Sequence, residues 1–175
     1  MEERDLAQRA AQGDREAFGG LVECHQAGVY NVAYRMLGEG REAEDAAQET
    51  FLRAYRAIRT LDPGRPPGPW LKKIAVNVCL NMLERHASLT LEDETNLPSP
   101  GPGPEAQVIQ REQNRQIRAA LLSLPPRFRA AIELRHFQEL SYTEMAETLN
   151  RPLSDIKSDL FRARKLLAEL LQQIK

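Results

Sequence analysis

Between positions 157 and 165 the chain sets out Lys157, Ser158, Phe161, Arg162, Arg164 and Lys165, away from the apolar phase of the segment. Guanidinium and ammonium groups donate to phosphate oxygens and to guanine O6 and N7, and a ring packs on a thymine methyl or a sugar. This set suits a DNA groove. The plainer reading is a helical hairpin with a solvated charged face. A second set lies upstream, where Lys73, Asn77 and Asn81 recur every four residues with Lys72 beside them, just after the single tryptophan, Trp70. Amides and ammoniums next to a ring that can stack would suit an unpaired nucleic-acid strand. Against that stands a Trp70 that merely anchors a helix start in the core, with the amides facing water. There is no nucleophile–base constellation and no glycine-rich phosphate loop. Cys24 and His25 lack further close ligands, so neither a metal nor another cofactor is expected, and no enzymatic activity.

The element that must carry the first set is a helix-turn-helix over 141–165. Ser141 followed by Glu144 is a capping-box start, and Met145, Ala146 and Leu149 recur at helical spacing. Asn150 tolerates the left-handed conformation that closes a helix, and Pro152 stops it from continuing. Ser154 is expected to cap the second helix, with Asp155 at its positive end. Ile156, Leu160, Ala163, Leu167, Leu170 and Ile174 form one apolar stripe, leaving the polar set outward. A short helix, a turn and a longer helix with a basic outer face is the form that enters a groove.

The remaining chain reads as helices without strands. Apolar spacing predicts a helix after Asp14, a pattern from Val29 to Leu37 ended by Gly38 and Gly40, and a helix from about Arg41 whose face is Ala43, Ala46, Ala47, Phe51, Ala54 and Ile58. From Leu61 to Pro69 proline recurs too often for a helix or a central strand, so a stiff loop is expected. A helix from Trp70 to about Arg85 follows, buried along Leu71, Ile74, Ala75, Val78, Cys79 and Met82. Residues 88–104, SLTLEDETNLPSPGPGP, are polar, acidic and rich in Pro and Gly: a flexible linker. A polar helix with Val108, Ile109, Ile117, Leu121 and Leu124 comes next, then one opened by Pro125 and Pro126 that runs through Phe128, Ala131, Ile132 and Arg135 to about Phe137. The expected fold class is all-α: two small helical domains at 1–87 and 105–175, joined by the linker and free to be compact or extended.

The 175 residues are 42% hydrophobic and 28% charged, as in a soluble globular protein. No apolar run approaches a membrane span and the start MEERDLAQ is too polar for a signal peptide, so a cytoplasmic protein with reduced thiols is expected. The net charge of −1 matters more. A free-standing DNA binder carries a cationic excess that releases phosphate counterions. Here the excess is confined to residues 117–175, with 10 Lys/Arg against 7 Asp/Glu, while 91–116 hold 2 against 5. If this chain binds promoters, a partner must supply much of the affinity.

Taken together these segments resemble the extracytoplasmic-function class of bacterial sigma factors. The resemblance rests on GDREAF at 13–18, EDAAQETFLRAYRAI at 44–58, PWLKKIAVN at 69–77, LLSLPPRFRAAIELRHFQELSYTEMAETL at 121–149 and DIKSDLFRARKLL at 155–167, in the family's order. It implies that Asp45, Gln48, Glu49 and Phe51 dock on the clamp helices of the largest subunit of core RNA polymerase. It also implies that the loop from Asp62 to Pro69 and the next helix, with Trp70, Lys72, Lys73 and Asn77, hold an unstacked base of the promoter −10 element. Lys157, Ser158, Phe161, Arg162 and Arg164 would read the −35 element, and the acidic linker would thread near the RNA exit path. An anti-sigma partner follows from the class. Melting by trapped bases needs no catalytic residue, and polymerase would compensate for the missing positive charge. Three departures stand out. Asp159 replaces the family's usual Arg on the recognition helix, where it would repel phosphate or accept from cytosine N4. LNMLERHAS lacks the Asp and arginine run common there, and PGRPPGPW replaces an aromatic-containing loop. Asp159 and the thin basic content favour an alternative: a sigma-like decoy that sequesters an anti-sigma factor without binding DNA.

Overall fold

The computed structural model describes residues 2–89 and 108–173. The expected linker lies outside the described residues from position 90 on, as do Ile174 and the side chains of Val108 and Ile109. The described residues are helical, with no strand among them: α1 (Glu3–Ala11), α2 (Arg15–Leu37), α3 (Gly40–Arg56), a 3₁₀ turn (Ile58–Thr60), α4 (Pro67–Leu89), α5 (Val108–Leu122), α6 (Pro126–Ile132), a π turn (Glu133–Phe137), α7 (Tyr142–Leu149) and α8 (Leu153–Gln172).

Local chemistry sets most of these boundaries. The Asp14 carboxylate accepts from the Ala17 N–H at 3.1 Å and caps α2, while Arg9 holds the same carboxylate at 2.7 Å. Two groups, the cap's N–H and the Arg9 guanidinium, keep Asp14 ionised well below the usual carboxylate range. Gly38 closes α2 in the left-handed conformation, φ +79°. Glu39 then caps α3 by accepting from the Arg41 and Glu42 N–H groups. Two expectations need correction. The helix α4 begins at Pro67 rather than Trp70, because prolines in a first turn lack only N–H groups that would have no intrahelical partner. The same helix continues to Leu89, so Ser88 and Leu89, expected in the linker, are helical.

The long helix α2 is the spine, packed on α1, α3 and α4. Its Val29, Val32, Ala33 and Met36 meet the alanine face of α3 (Ala43, Ala46, Ala54) and Leu71, Ala75, Val78 and Cys79 of α4, all essentially inaccessible. Small residues on α3 let the backbones approach closely. Thr50, unforeseen on that face, is fully buried and donates its hydroxyl to the Ala46 carbonyl at 2.7 Å. Burial pushes the Cys79 thiol up to about 12, aided by nearby Glu133, so it is inert. A second, smaller core joins Ala7, Ala10, Ala17, Leu21, Ile58 and Leu61.

The C-terminal helices form the second of the two expected helical domains, and it packs on the first. Leu121, Leu124, Phe128, Ile132, Leu134, Met145, Ile156 and Leu160 belong to the same connected core as α2, α3 and α4. Val76, outside the expected stripe of α4, is also fully buried, and α4 packs on α6 and α7 as well as on α2 and α3. Ile117, one of the apolar residues of α5, is exposed.

Candidate nucleic-acid interface and docking face

The hairpin is built as its caps dictate. Ser141 Oγ accepts from the Glu144 N–H at 3.1 Å and Glu144 accepts from the Ser141 N–H at 2.8 Å. The Ser141 N–H, with Lys73 and Arg65 nearby, holds the Glu144 carboxyl below its usual range. Asn150 takes φ +51° and ends α7. The second helix departs from expectation: Pro152 occupies the N-cap position with no side-chain cap, and Ser154 lies inside the first turn of α8. Proline's fixed φ sets the helix entry directly, so no capping side chain is needed.

Along α8, Ile156, Leu160 and Ala163 are buried and Leu167 and Leu170 half-buried. Lys157, Ser158, Phe161, Arg162, Arg164 and Lys165 are exposed, with Phe161 retaining 70% of its surface. Arg164 donates through Nε to His136 Nε2 at 3.2 Å, which aims its guanidinium along the π turn. Burial, then Arg164 and Arg135, lower the pKa of His136 and keep it the neutral acceptor.

Asp159 is not on the outer face. It is 5% exposed, bonded to Arg151 from the turn and 3.9 Å from the Arg127 guanidinium of α6. Its carboxylate ties α8 to the turn and to α6, so neither the repulsion of phosphate nor the reading of cytosine expected of it applies. Helical phase explains the difference. Residue 159 falls between the buried positions 156, 160 and 163, and its two arginines come from the preceding turn and from α6.

The second set is split by the fold. Lys73 and Asn77 share one half-buried face of α4, and Trp70 is half-buried against both cores. That packing meets the anchoring role weighed for the ring. Lys72 runs its stem toward Gly28 of α2 instead. Asn77 Nδ2 donates to the Thr148 carbonyl of α7 at 2.9 Å. Asp45, Gln48 and Glu49 share the solvent side of α3, with Glu49 paired to Arg53 at 2.9 Å. Gln48 and Phe51, with Val22, Gln26, Tyr30 and Glu44, line an open groove of about 570 Å³ between α2 and α3.

Sequence reasoning missed the residues that join the two halves. Arg35 of α2 donates through Nε and Nη2 to both oxygens of Glu133, each at 2.8 Å, with Glu133 2% exposed. Arg129 of α6, 8% exposed, donates to the carbonyls of Leu121, Leu122 and Leu124 and also to that of Met36 in α2. An acid within the apolar run AAIEL is the one signal that pointed at Glu133. No signal named its partner.

Two family models match this chain: Sigma-70 region 2 over residues 21–88 and Sigma-70 region 4 over residues 114–167. The first covers α2 to α4 and the second runs from α5 to α8. The chain therefore belongs to the sigma-70 family. Relatives place it within that family. It is 33% identical to the ECF RNA polymerase sigma factor SigW of Bacillus subtilis, over 93% of each chain. It is 37% identical to the ECF RNA polymerase sigma factor SigE of Mycolicibacterium smegmatis, over 92% of this chain and 65% of that protein. This is a sigma factor of the extracytoplasmic-function class. Among solved structures it is similar to CnrH in complex with the cytosolic domain of CnrY, with a TM-score of 0.68, 25% identity and 99% of each chain covered. No helix of the described residues is long and apolar enough to cross a membrane, and no cluster of three metal-ligating side chains occurs among them.

Proposed function

We propose that the chain binds core RNA polymerase and directs promoter-specific initiation. Asp45, Gln48, Glu49 and Phe51 would form the docking face, Trp70, Lys72, Lys73 and Asn77 the −10 grip, and Lys157, Ser158, Phe161, Arg162 and Arg164 the −35 reader. The functional division is 1–87 for polymerase and −10 contacts, 88–104 as connector and 105–175 for −35 contacts. It acts in the cytoplasm by positioning and trapping bases, without bond-making chemistry. The observation that carries this reading is the open row of Lys157, Ser158, Phe161 and Arg162 on a helix whose opposite side buries Ile156, Leu160 and Ala163. Such a row has no structural task inside the chain. The burial of Asp159 between two arginines removes the main feature that favoured a decoy without DNA binding.

The groove beside Gln48 and Phe51 supports a protein contact at α3, and an anti-sigma factor is the expected regulator. The test is run-off transcription with purified core polymerase on genomic promoter fragments. Specific starts that depend on this chain are expected, and failure both to bind core enzyme and to direct starts sinks the reading. Arg162→Ala should cost about 1–3 kcal/mol of base discrimination at the −35 site. Equal weakening on every sequence would make Arg162 a phosphate contact instead.

A further inference from the structure

We infer that His136 is a positioning residue for the −35 reader: its neutral imidazole holds Arg164 at one rim of the exposed row on α8, and a proton on the ring lets that guanidinium go. This rests on the assignment of the row to the −35 element.

The hold is specific at the level of atoms. Arg164 Nε donates to His136 Nε2 at 3.2 Å. A guanidinium keeps its protons at any pH a folded protein meets, so the imidazole is the acceptor. That fixes the tautomer, with the ring's one proton on Nδ1. Bound through Nε, the side chain still offers both Nη groups, the fork that meets guanine O6 and N7 or a phosphate. Helical phase gives the place. Arg164 stands one turn after buried Leu160 and next to buried Ala163, at the edge of the apolar stripe, and the π turn brings His136 to that edge. Among the described residues, Lys157, Arg162 and Lys165 of the same row have no side-chain tether of this kind. A tethered arginine has lost part of its rotamer freedom on folding, so less is lost when it meets DNA.

The surroundings of the ring favour the neutral form. Burial lowers the His136 pKa, and Arg164 and Arg135 lower it further. Arg135 of the same turn stacks on Tyr142 of α7, and Arg129 of α6 is taken up by carbonyls. Arg35 of α2, on the neighbouring Phe137, engages Glu133, so that carboxylate does not serve the imidazole. The neutral acceptor therefore persists below the usual histidine range. Stronger acid puts a proton on Nε2. The ring then cannot accept, and it stands as a third cation beside two arginines. Acid thus has opposite effects on two kinds of binding. Added charge strengthens attraction to any phosphate backbone, whereas the freed fork loses its aim at one site.

Nitrogen-15 NMR on the free full-length chain tests the hold. The chain has three histidines, so the His136 ring is assigned by comparison with His136→Gln. At neutral pH Nε2 should be unprotonated and Nδ1 protonated, and the Arg164 Nε–H signal should resist exchange with water. That signal should be lost in His136→Ala, and in acid as the ring titrates. A ring protonated at Nε2 at neutral pH, or an Arg164 signal indifferent to the ring, overturns the proposal. The second measurement uses holoenzyme with core polymerase, on a promoter fragment found by run-off transcription and on the same fragment with its −35 segment scrambled. His136→Ala should lower discrimination between the two about threefold to tenfold. His136→Gln keeps an acceptor without a titrating ring, and should restore discrimination while flattening its pH dependence. In an Arg164→Ala background, His136→Ala should cost nothing further, which a role in stability alone would not give. An equal loss with and without Arg164 overturns positioning. Failure of the −35 assignment looks different: the NMR signals behave as expected, yet Arg164→Ala leaves discrimination unchanged, and the assignment rather than the hold is overturned.

Discussion

Asp159 shows how far one side chain can move in meaning once its neighbours are known. By position it belongs to the row proposed to face DNA, and by burial it is a structural anion shared by Arg127 and Arg151. Removing it leaves two guanidiniums that still reach water, so the loss is that of buried charge-assisted hydrogen bonds rather than of a fully buried pair. Asp159→Ala should therefore lower the unfolding free energy by about 1–3 kcal/mol. Phe161→Ala, one turn-position away but 70% exposed, should change it by no more than about 0.5 kcal/mol. Urea unfolding of both variants checks the pair. Equal stabilities would return Asp159 to the outer face.

At the scale of elements, the hairpin depends on end chemistry more than on helix propensity, because α7 has only eight residues. Its capping box satisfies backbone donors at the start, and Asn150 in the left-handed conformation satisfies carbonyls at the end. Ser141→Ala should cost about 1 kcal/mol in thermal or urea unfolding. Ser154→Ala should cost almost nothing, since that residue caps no helix. A large loss from Ser154→Ala would show that the hydroxyl, not Pro152, sets the start of α8. The proline-rich stretch before Trp70 teaches the same lesson in reverse. Proline frequency predicts a loop, yet position within a first turn decides, and Pro67 and Pro69 both lie inside α4.

At the scale of the whole molecule, one connected core runs through both matched segments. Gly38 shows how closely they fit. It has φ +79°, and a side-chain carbon built there would lie 2.6 Å from a Leu122 methyl of α5. A chain joined in this way should unfold as one cooperative unit. Trp70, the only tryptophan, reports on the N-terminal half, whereas far-ultraviolet circular dichroism reports on all helices. Their urea transitions should coincide. Two separated transitions would mean that the halves fold and unfold independently.

Sequence by itself determined what is local. Caps, apolar phase and the absence of alternating strand patterns act within about one turn or one strand, so α3, the hairpin and the outward row of α8 were all legible. So was the family, because long motifs stand in order. What only the tertiary structure decided are contacts between residues far apart in the chain: Asn77 with Thr148, 71 positions away, and Arg35 with Glu133, 98 away. Periodicity states which side of a helix is buried but not what buries it. The covered Lys73–Asn77 face of α4 and the contact of Asp159 with Arg127 follow from that limit, since each depends on a helix that no local signal places there.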